Sequence, residues 1–274
     1  MDEESRRRYL EALGISLWLP RRPLPGATTA STPRSSAPRA TDPPAQPLST
    51  EDEPWAMADD RQEPLDEVAD DSAPAASDAR AAAIGRMPWD LLAETARACT
   101  ACPLCATRTQ VVFGVGDPQA RWLIVGEAPG ADEDRQGEPF VGRAGKLLNP
   151  MLRAIGLQRE QVYIANILKC RPPENRDPTP HEALQCRPFL NRQIALIRPR
   201  IVLAVGRIAA QQLLGTETPI GKLRGQVHRF GPDRIPLVVT YHPAYLLRSP
   251  REKRRAWDDL RLARRALSAE PPTA

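Results

Sequence analysis

The chain of 274 residues contains no apolar run long enough to span a membrane. Its acidic start, MDEESRRR, does not resemble a signal peptide, so a cytoplasmic protein is expected. Cysteine is scarce, with five residues, and a cytosolic chain rarely keeps disulfides, so grouped thiols here point to metal. From Pro20 to about Asp78 no sustained apolar period exists. That stretch is dense in Pro, Ala, Ser, Thr and acidic residues and buries too little apolar surface to offset its ordering entropy. Three parts follow: a short N-terminal interaction segment (1–24), a disordered Pro/Ala/acidic linker (25–80), and one folded domain (81–274) large enough for a full core.

Charge is unevenly spread. The net formal charge of +4 hides +3 over residues 1–40, −10 over 41–80 and +11 over 81–274. A folded domain this basic suits a polyanionic partner.

Four apolar, β-rich runs lie within it: Arg121 to Gly126, Val162 to Ile167, Ile201 to Gly206 and Leu237 to Tyr241. Helical signals separate them, which predicts a parallel sheet covered on both faces. Thr179-Pro-His-Glu182 has the form of a capping box with Pro at the first helical position, before a helix to about Ile197. Ser249-Pro-Arg-Glu252 repeats the device before a final helix, and Gly215 is positioned to stop a helix begun at Gly206. Pro150 predicts a kink or break in the helical run from Ala144 to Ala154. Each notable polar cluster follows or ends one of the strands, and in an open parallel sheet the ligand crevice lies beyond the strands' carboxyl ends.

The turn after the first strand, GEAPGADEDRQGEPFVG (126–142), is glycine-rich but lacks the lysine of a phosphate cradle and carries Glu127, Asp132, Glu133 and Asp134 instead. A phosphate would be repelled there. The ligand must tolerate carboxylates beside an aromatic, Phe140. Cys99, Cys102 and Cys105 fall within seven residues, with Cys170 and Cys186 much later; four such thiols suit a [4Fe–4S] cluster or tetrahedral zinc, and spacing does not separate the two.

Together Gly126-Glu-Ala-Pro-Gly130, Glu133-Asp134, Gly137-x-Pro-Phe-Val-Gly142, Asn166 with Lys169-Cys-Arg-Pro-Pro173, and His242-Pro-Ala-Tyr-Leu-Leu-Arg248 resemble the family 4 uracil-DNA glycosylases, collinearly from about Cys99 to the last helix. The resemblance implies an α/β fold, a three-layer α/β/α sandwich around a four-stranded parallel sheet. It also implies a [4Fe–4S] cluster on Cys99, Cys102, Cys170 and Cys186 with Cys105 spare, and removal of uracil from DNA by base excision. The site it implies has Gly126, Ala128 and Gly130 lining the pocket, Phe140 stacking on the base and Asn166 pairing with the uracil edge. Glu133 is then the favoured catalytic carboxylate, Glu127 lines the pocket or holds water, and His242 hydrogen-bonds uracil O2. Asp132 and Asp134 are expected at the surface or as caps. The Asp of the best-known uracil glycosylase family is absent, with Ala128 near its place.

For DNA contact, Arg171, Arg176, Lys169, Arg248, Arg251 and Lys253 to Arg255 are positioned to neutralise phosphates, and Leu246 or Leu247 to wedge into the gap left by a flipped base. A monomer is expected. The competing reading is a non-catalytic nucleic-acid-binding protein with a structural zinc site. Residues 8–23 form a short apolar island, and Leu13-Gly-Ile-Ser-Leu-Trp with Arg21-Arg-Pro23 is similar to the peptide by which the psi subunit of the bacterial clamp loader grips the ATPase subunits. That similarity implies a clamp-loader or replisome partner.

Overall fold

The computed structural model describes residues 73–269. The expected interaction segment and most of the expected linker lie outside them. The described chain starts with helix α1 (Ala73–Ile84), so ordered backbone occupies the end of the stretch read as linker. Arg80 fastens that helix to the domain: its guanidinium donates to the Gln185 carbonyl at 2.9 Å and lies 5.3 Å from the Phe189 ring centre. Helix α2 (Trp89–Arg97) follows, burying Leu92, Ala93 and Ala96 along one stripe.

The sheet has six strands. In chain order they are β1 (Val115–Gly116), β2 (Trp122–Gly126), β3 (Tyr163–Asn166), β4 (Ile201–Val205), β5 (Val227–Phe230) and β6 (Ile235–Thr240), with spatial order β1-β3-β2-β4-β6-β5. The four expected runs form the parallel centre, β3-β2-β4-β6. The two strands not expected are antiparallel edges: β1 is only two residues long, and β5 is a half-exposed arm of a hairpin. Neither carries the continuous apolar run of a strand buried on both faces.

Side chains alternate across the central strands. Ile124, Ile164, Leu203 and Val238 face one core, while Leu123, Val125, Ala165, Val202 and Val239 face the other. The helices, in chain order, are α3 (Ala131–Gln136), α4 (Arg143–Ala154), α5 (Pro180–Ile197), α6 (Arg207–Leu214), α7 (Ile220–Leu223), α8 (Pro243–Arg248) and α9 (Lys253–Ala269). The first core is closed by α4, α8 and α9, the second by α5 and α6, which makes the three-layer sandwich. Among the described residues no helix is long and apolar enough to cross a membrane.

Local signals were obeyed unevenly. Thr179 caps α5 as a full capping box, its hydroxyl accepting from the Glu182 N–H at 3.2 Å while Glu182 accepts from the Thr179 N–H at 2.8 Å. Gly215 ends α6 in the left-handed region, φ 61°. Two expectations are corrected. Ser249 makes no side-chain cap, because Pro250–Glu252 forms a separate 3₁₀ turn before α9. Helix α4 runs unbroken through Pro150, whose missing N–H costs one intrahelical bond while the ring packs in the buried face.

Candidate active site

Beyond the carboxyl ends of β2 and β3, Gly126 and Asn166 are register partners. Asn166 is 2% exposed, and its side-chain Oδ1 is buried with no hydrogen-bond partner among the described residues. An unpaired buried acceptor costs about 1–3 kcal/mol. Next to it lies Phe140, which is buried with φ 55°, a backbone region unusual for an aromatic residue. Gly126 makes room for both: a Cβ there would strike Asn166 Oδ1 and stand 2.7 Å from Phe140 Cε2 and Cζ.

The His242 ring faces Phe140 at a centroid distance of 5.6 Å, tilted by 34°. Its Nδ1 accepts from the Ala244 N–H at 3.2 Å, so a neutral imidazole carries its proton on Nε2. Burial, with Arg248 nearby, pushes its pKa down to about 4, so the ring is neutral at pH 7. Gly206 follows β4 with φ 102°, and a Cβ on it would approach His242 Cβ to 3.1 Å. An aromatic face, an orphaned amide oxygen and a neutral N–H donor are thus gathered beyond the carboxyl ends of the strands.

The carboxylates divide by environment. Glu133 is held on three sides: its Oε1 accepts from the N–H groups of Val141 at 3.0 Å and Gly142 at 2.9 Å and its Oε2 from that of Gly130 at 3.2 Å, which ties the turn to the residues after Phe140. Glu127 makes no side-chain hydrogen bond among the described residues, and burial plus the nearby Asp177 raise its pKa to about 7. Asp132 pairs with Arg135 at the surface, as expected. Asp134 does not stay at the surface. It is buried and accepts from the Thr109 N–H at 2.9 Å and 3.1 Å, pinning the segment after the first cysteines.

Lys169 is also corrected. Its Nζ donates to the Asn166 carbonyl at 2.9 Å and to Gln193 Oε1 at 2.7 Å, wholly buried, so it supports the pocket from behind and cannot reach a phosphate. Gln193 continues this network to the Phe113 carbonyl at 2.9 Å. Sequence reading missed Gln193, whose helix position carries no distinguishing signal.

No disulfide joins any of the five cysteines. Cys102, Cys170 and Cys186 pack around Leu104, Leu168 and Ala128, and Cys99 and Cys186 share the neighbouring apolar cluster. Donors point at their sulfurs: Arg80 Nη2 to Cys99 at 3.3 Å, Arg108 Nη1 to Cys170 at 3.2 Å and the Lys169 N–H to Cys186 at 3.2 Å. Burial pushes the Cys102, Cys170 and Cys186 thiols up, Cys186 to about 12, so thiolates at this depth require a cation. Among the described residues no group of three or more His, Cys, Asp and Glu is gathered for a single metal ion.

A sequence profile described as the uracil DNA glycosylase superfamily matches residues 113–261. A type-4 uracil-DNA glycosylase of Archaeoglobus fulgidus is 46% identical over 182 residues, covering 64% of this chain and 91% of that protein. One from Thermotoga maritima is 46% identical over 162 residues, covering 58% and 83% respectively. A type-5 uracil-DNA glycosylase of Thermus thermophilus is 32% identical over 191 residues, covering 57% and 87%. The chain belongs to the type-4 uracil-DNA glycosylases.

On the glycosylase surface next to His242, α8 separates two adjacent leucines. Leu246 is 0% exposed in the first core and cannot wedge into DNA, whereas Leu247 is 38% exposed and Tyr245 36%. Arg248 and Arg251 are exposed, but Lys253 is buried. Arg176 is committed elsewhere: its guanidinium forks onto buried Glu182 at 2.9 Å and 2.6 Å, holding that carboxyl down to about 2, so it shapes the loop between Cys170 and Cys186. Arg171 Nε donates to Asn175 Oδ1 at 2.8 Å within the same loop. Ala128 and Gly130 lie half-buried at the turn, Gly130 as the N-cap of α3.

Proposed function

We propose that the protein hydrolyses the N-glycosidic bond of deoxyuridine in DNA, releasing uracil and leaving an abasic site. Uracil within a duplex is out of reach, so the nucleotide must flip into the pocket. The observation that carries the reading is the buried, unpartnered Oδ1 of Asn166 beside the Phe140 ring. Uracil presents N3–H as a donor; cytosine presents an acceptor at N3 and would leave the amide oxygen unpaired. The non-catalytic alternative offers no reason to maintain a buried acceptor without a partner.

Water oxygen bonds to C1′ as the C1′–N1 bond breaks, and the electron pair leaves on uracil N1. Negative charge spreads to O2, where the His242 Nε2–H donates to it from a neutral ring, and positive charge grows on the sugar. Glu133 is fixed in place by three backbone N–H groups, which suits it to electrostatic stabilisation of that sugar. Glu127, unpaired with a pKa near 7, is suited to hold the water and take its proton. Leu247, Tyr245 and Arg248 would meet the strand around the vacated position.

Cys99, Cys102, Cys170 and Cys186 would hold a [4Fe–4S] cluster, whose contribution is structural. Sulfur-directed N–H donors fit an anionic cluster. A cubane also draws its thiolates from wider apart than one ion does. Residues 8–23 would tether the enzyme to a clamp-loader subunit; a peptide of residues 1–25 should bind it and lose binding with Trp18→Ala.

The deciding assay incubates the protein with a uracil-containing oligonucleotide and then cleaves abasic sites with alkali. A cleaved strand is expected without added metal or nucleotide, and an intact strand would remove the assignment.

A further inference from the structure

A second concave surface lies outside the base pocket. Helix α5, the start of β4, the end of α6 and the β5–β6 hairpin wall an open cleft of about 1430 Å³. It lies mainly beside the N-terminal ends of β4 and β6 and reaches Ile167 just past β3, on the α5 side of the sheet, whereas Phe140 of the base site belongs to the opposite core. Among the described residues six arginines line it, Arg187, Arg192, Arg198, Arg200, Arg229 and Arg234, with one acid, Asp233; Arg192 donates to the Met87 carbonyl at 2.7 Å, and Arg200 and Arg229 have partners of their own. Among the described residues the guanidiniums of Arg187, Arg198 and Arg234 have no hydrogen-bond or ion-pair partner, and all three residues are exposed. The floor is apolar. Leu190 and Ile194, one turn apart on α5 between Arg187 and Arg198, are 3% and 7% exposed, and Phe230 and Ile235 are half-buried across from them.

Arg187, Arg198 and Arg234 thus leave three uncommitted guanidiniums on a concave wall, which raises the local concentration of anions. The floor decides which anion. Single-stranded nucleic acid is held by successive aromatic platforms, and among the described residues this cleft has one aromatic, Phe230. A duplex presents phosphates on a convex ridge and gains nothing from buried leucine and isoleucine. Carboxylates pair with guanidinium forks on the rim while bulky apolar side chains fill the floor. We propose that this cleft docks an acidic segment of a partner protein in which Asp or Glu alternate with Leu- or Phe-like residues.

The test uses the full chain and a fluorescein-labelled peptide of alternating Asp and Leu with one central Phe, read by anisotropy. Binding is expected, weakened by added salt and weakened more than about tenfold by Arg198→Glu combined with Arg234→Glu. Single-turnover uracil release should be unchanged in that variant, since neither residue approaches the base pocket. If the double variant does not fold, Arg187→Glu on the exposed side of α5 carries the same expectation. No binding at about 100 µM peptide would overturn the proposal, as would peptide binding indifferent to charge reversal. So would a labelled oligothymidylate that loses affinity with these substitutions while the peptide does not, because the cleft would then be a nucleic-acid surface.

Discussion

Gly126→Ala should disable base recognition while leaving the rest of the fold in place. The added methyl would overlap Asn166 Oδ1 and lie 2.7 Å from two Phe140 ring carbons, where carbon atoms rest at roughly 3.5–4.0 Å. About 1 Å must be made up by movement. The backbone cannot supply it cheaply, because Gly126 is in register with Asn166 and its carbonyl accepts from the Ile167 N–H at 2.9 Å. Nor can Phe140 withdraw easily, packed as it is in the first core and against His242. Gly126 is not among the positive-φ glycines, so the whole effect is steric. Overpacking of this kind costs about 1–3 kcal/mol of stability, and a displacement of about 1 Å in a positioning group costs on the order of 10² in rate. Urea denaturation and single-turnover uracil release measure the two separately. A variant with a midpoint like the parent and a release rate within about threefold of it would refute the steric account of the pocket.

Alanine at Cys99, Cys102, Cys170 or Cys186 should bleach visible absorbance and lower the urea midpoint, whereas Cys105→Ala should leave the colour. A dispensable Cys99 or an essential Cys105 would overturn the ligand set. Single-turnover release should rise as pH passes upward through about 7, where Glu127 loses its proton, and Glu127→Gln should remove that inflection. His242 makes stability rise with pH as well: its folded pKa near 4 lies below the ordinary 6.5, so its contribution is complete above pH 6.5 and is lost as pH falls towards 4. Comparing acid-unfolding profiles of the parent and His242→Asn checks this. Leu246→Ala should destabilise the domain by about 2–5 kcal/mol, while Leu247→Ala should weaken DNA binding and leave the urea midpoint alone.

The parallel centre of the sheet was legible because strands buried on both faces must be continuously apolar, and the four runs are. The α5 capping box was legible because its geometry is local, carried by Thr179 and Glu182 alone. Properties set by distant chain were not. Leu246 and Leu247 are identical as sequence, and only the packing of α8 against α4 over the first core buries one and exposes the other. Lys169 reads as a phosphate ligand beside Cys170 and Arg171, yet Gln193, on α5, draws it inward. Glu133 and Glu127 are the same residue type within one turn. What separates them is three backbone N–H groups on the first and the Asp177 loop beside the second, neither of which is written locally.

The central claim is that the orphaned Asn166 oxygen waits for uracil N3–H, and a single added methyl tests it. Single-turnover release should be compared on strands carrying uracil or 3-methyluracil at one position. The methylated base cannot donate, and its methyl would fill the space before Oδ1. Losing the hydrogen bond alone removes about 1–3 kcal/mol, so release of 3-methyluracil should be slower by on the order of 10- to 100-fold, with Asn166→Ala narrowing the difference. Equal release of the two bases by the unaltered enzyme would contradict the assignment of Asn166 as the group that reads uracil.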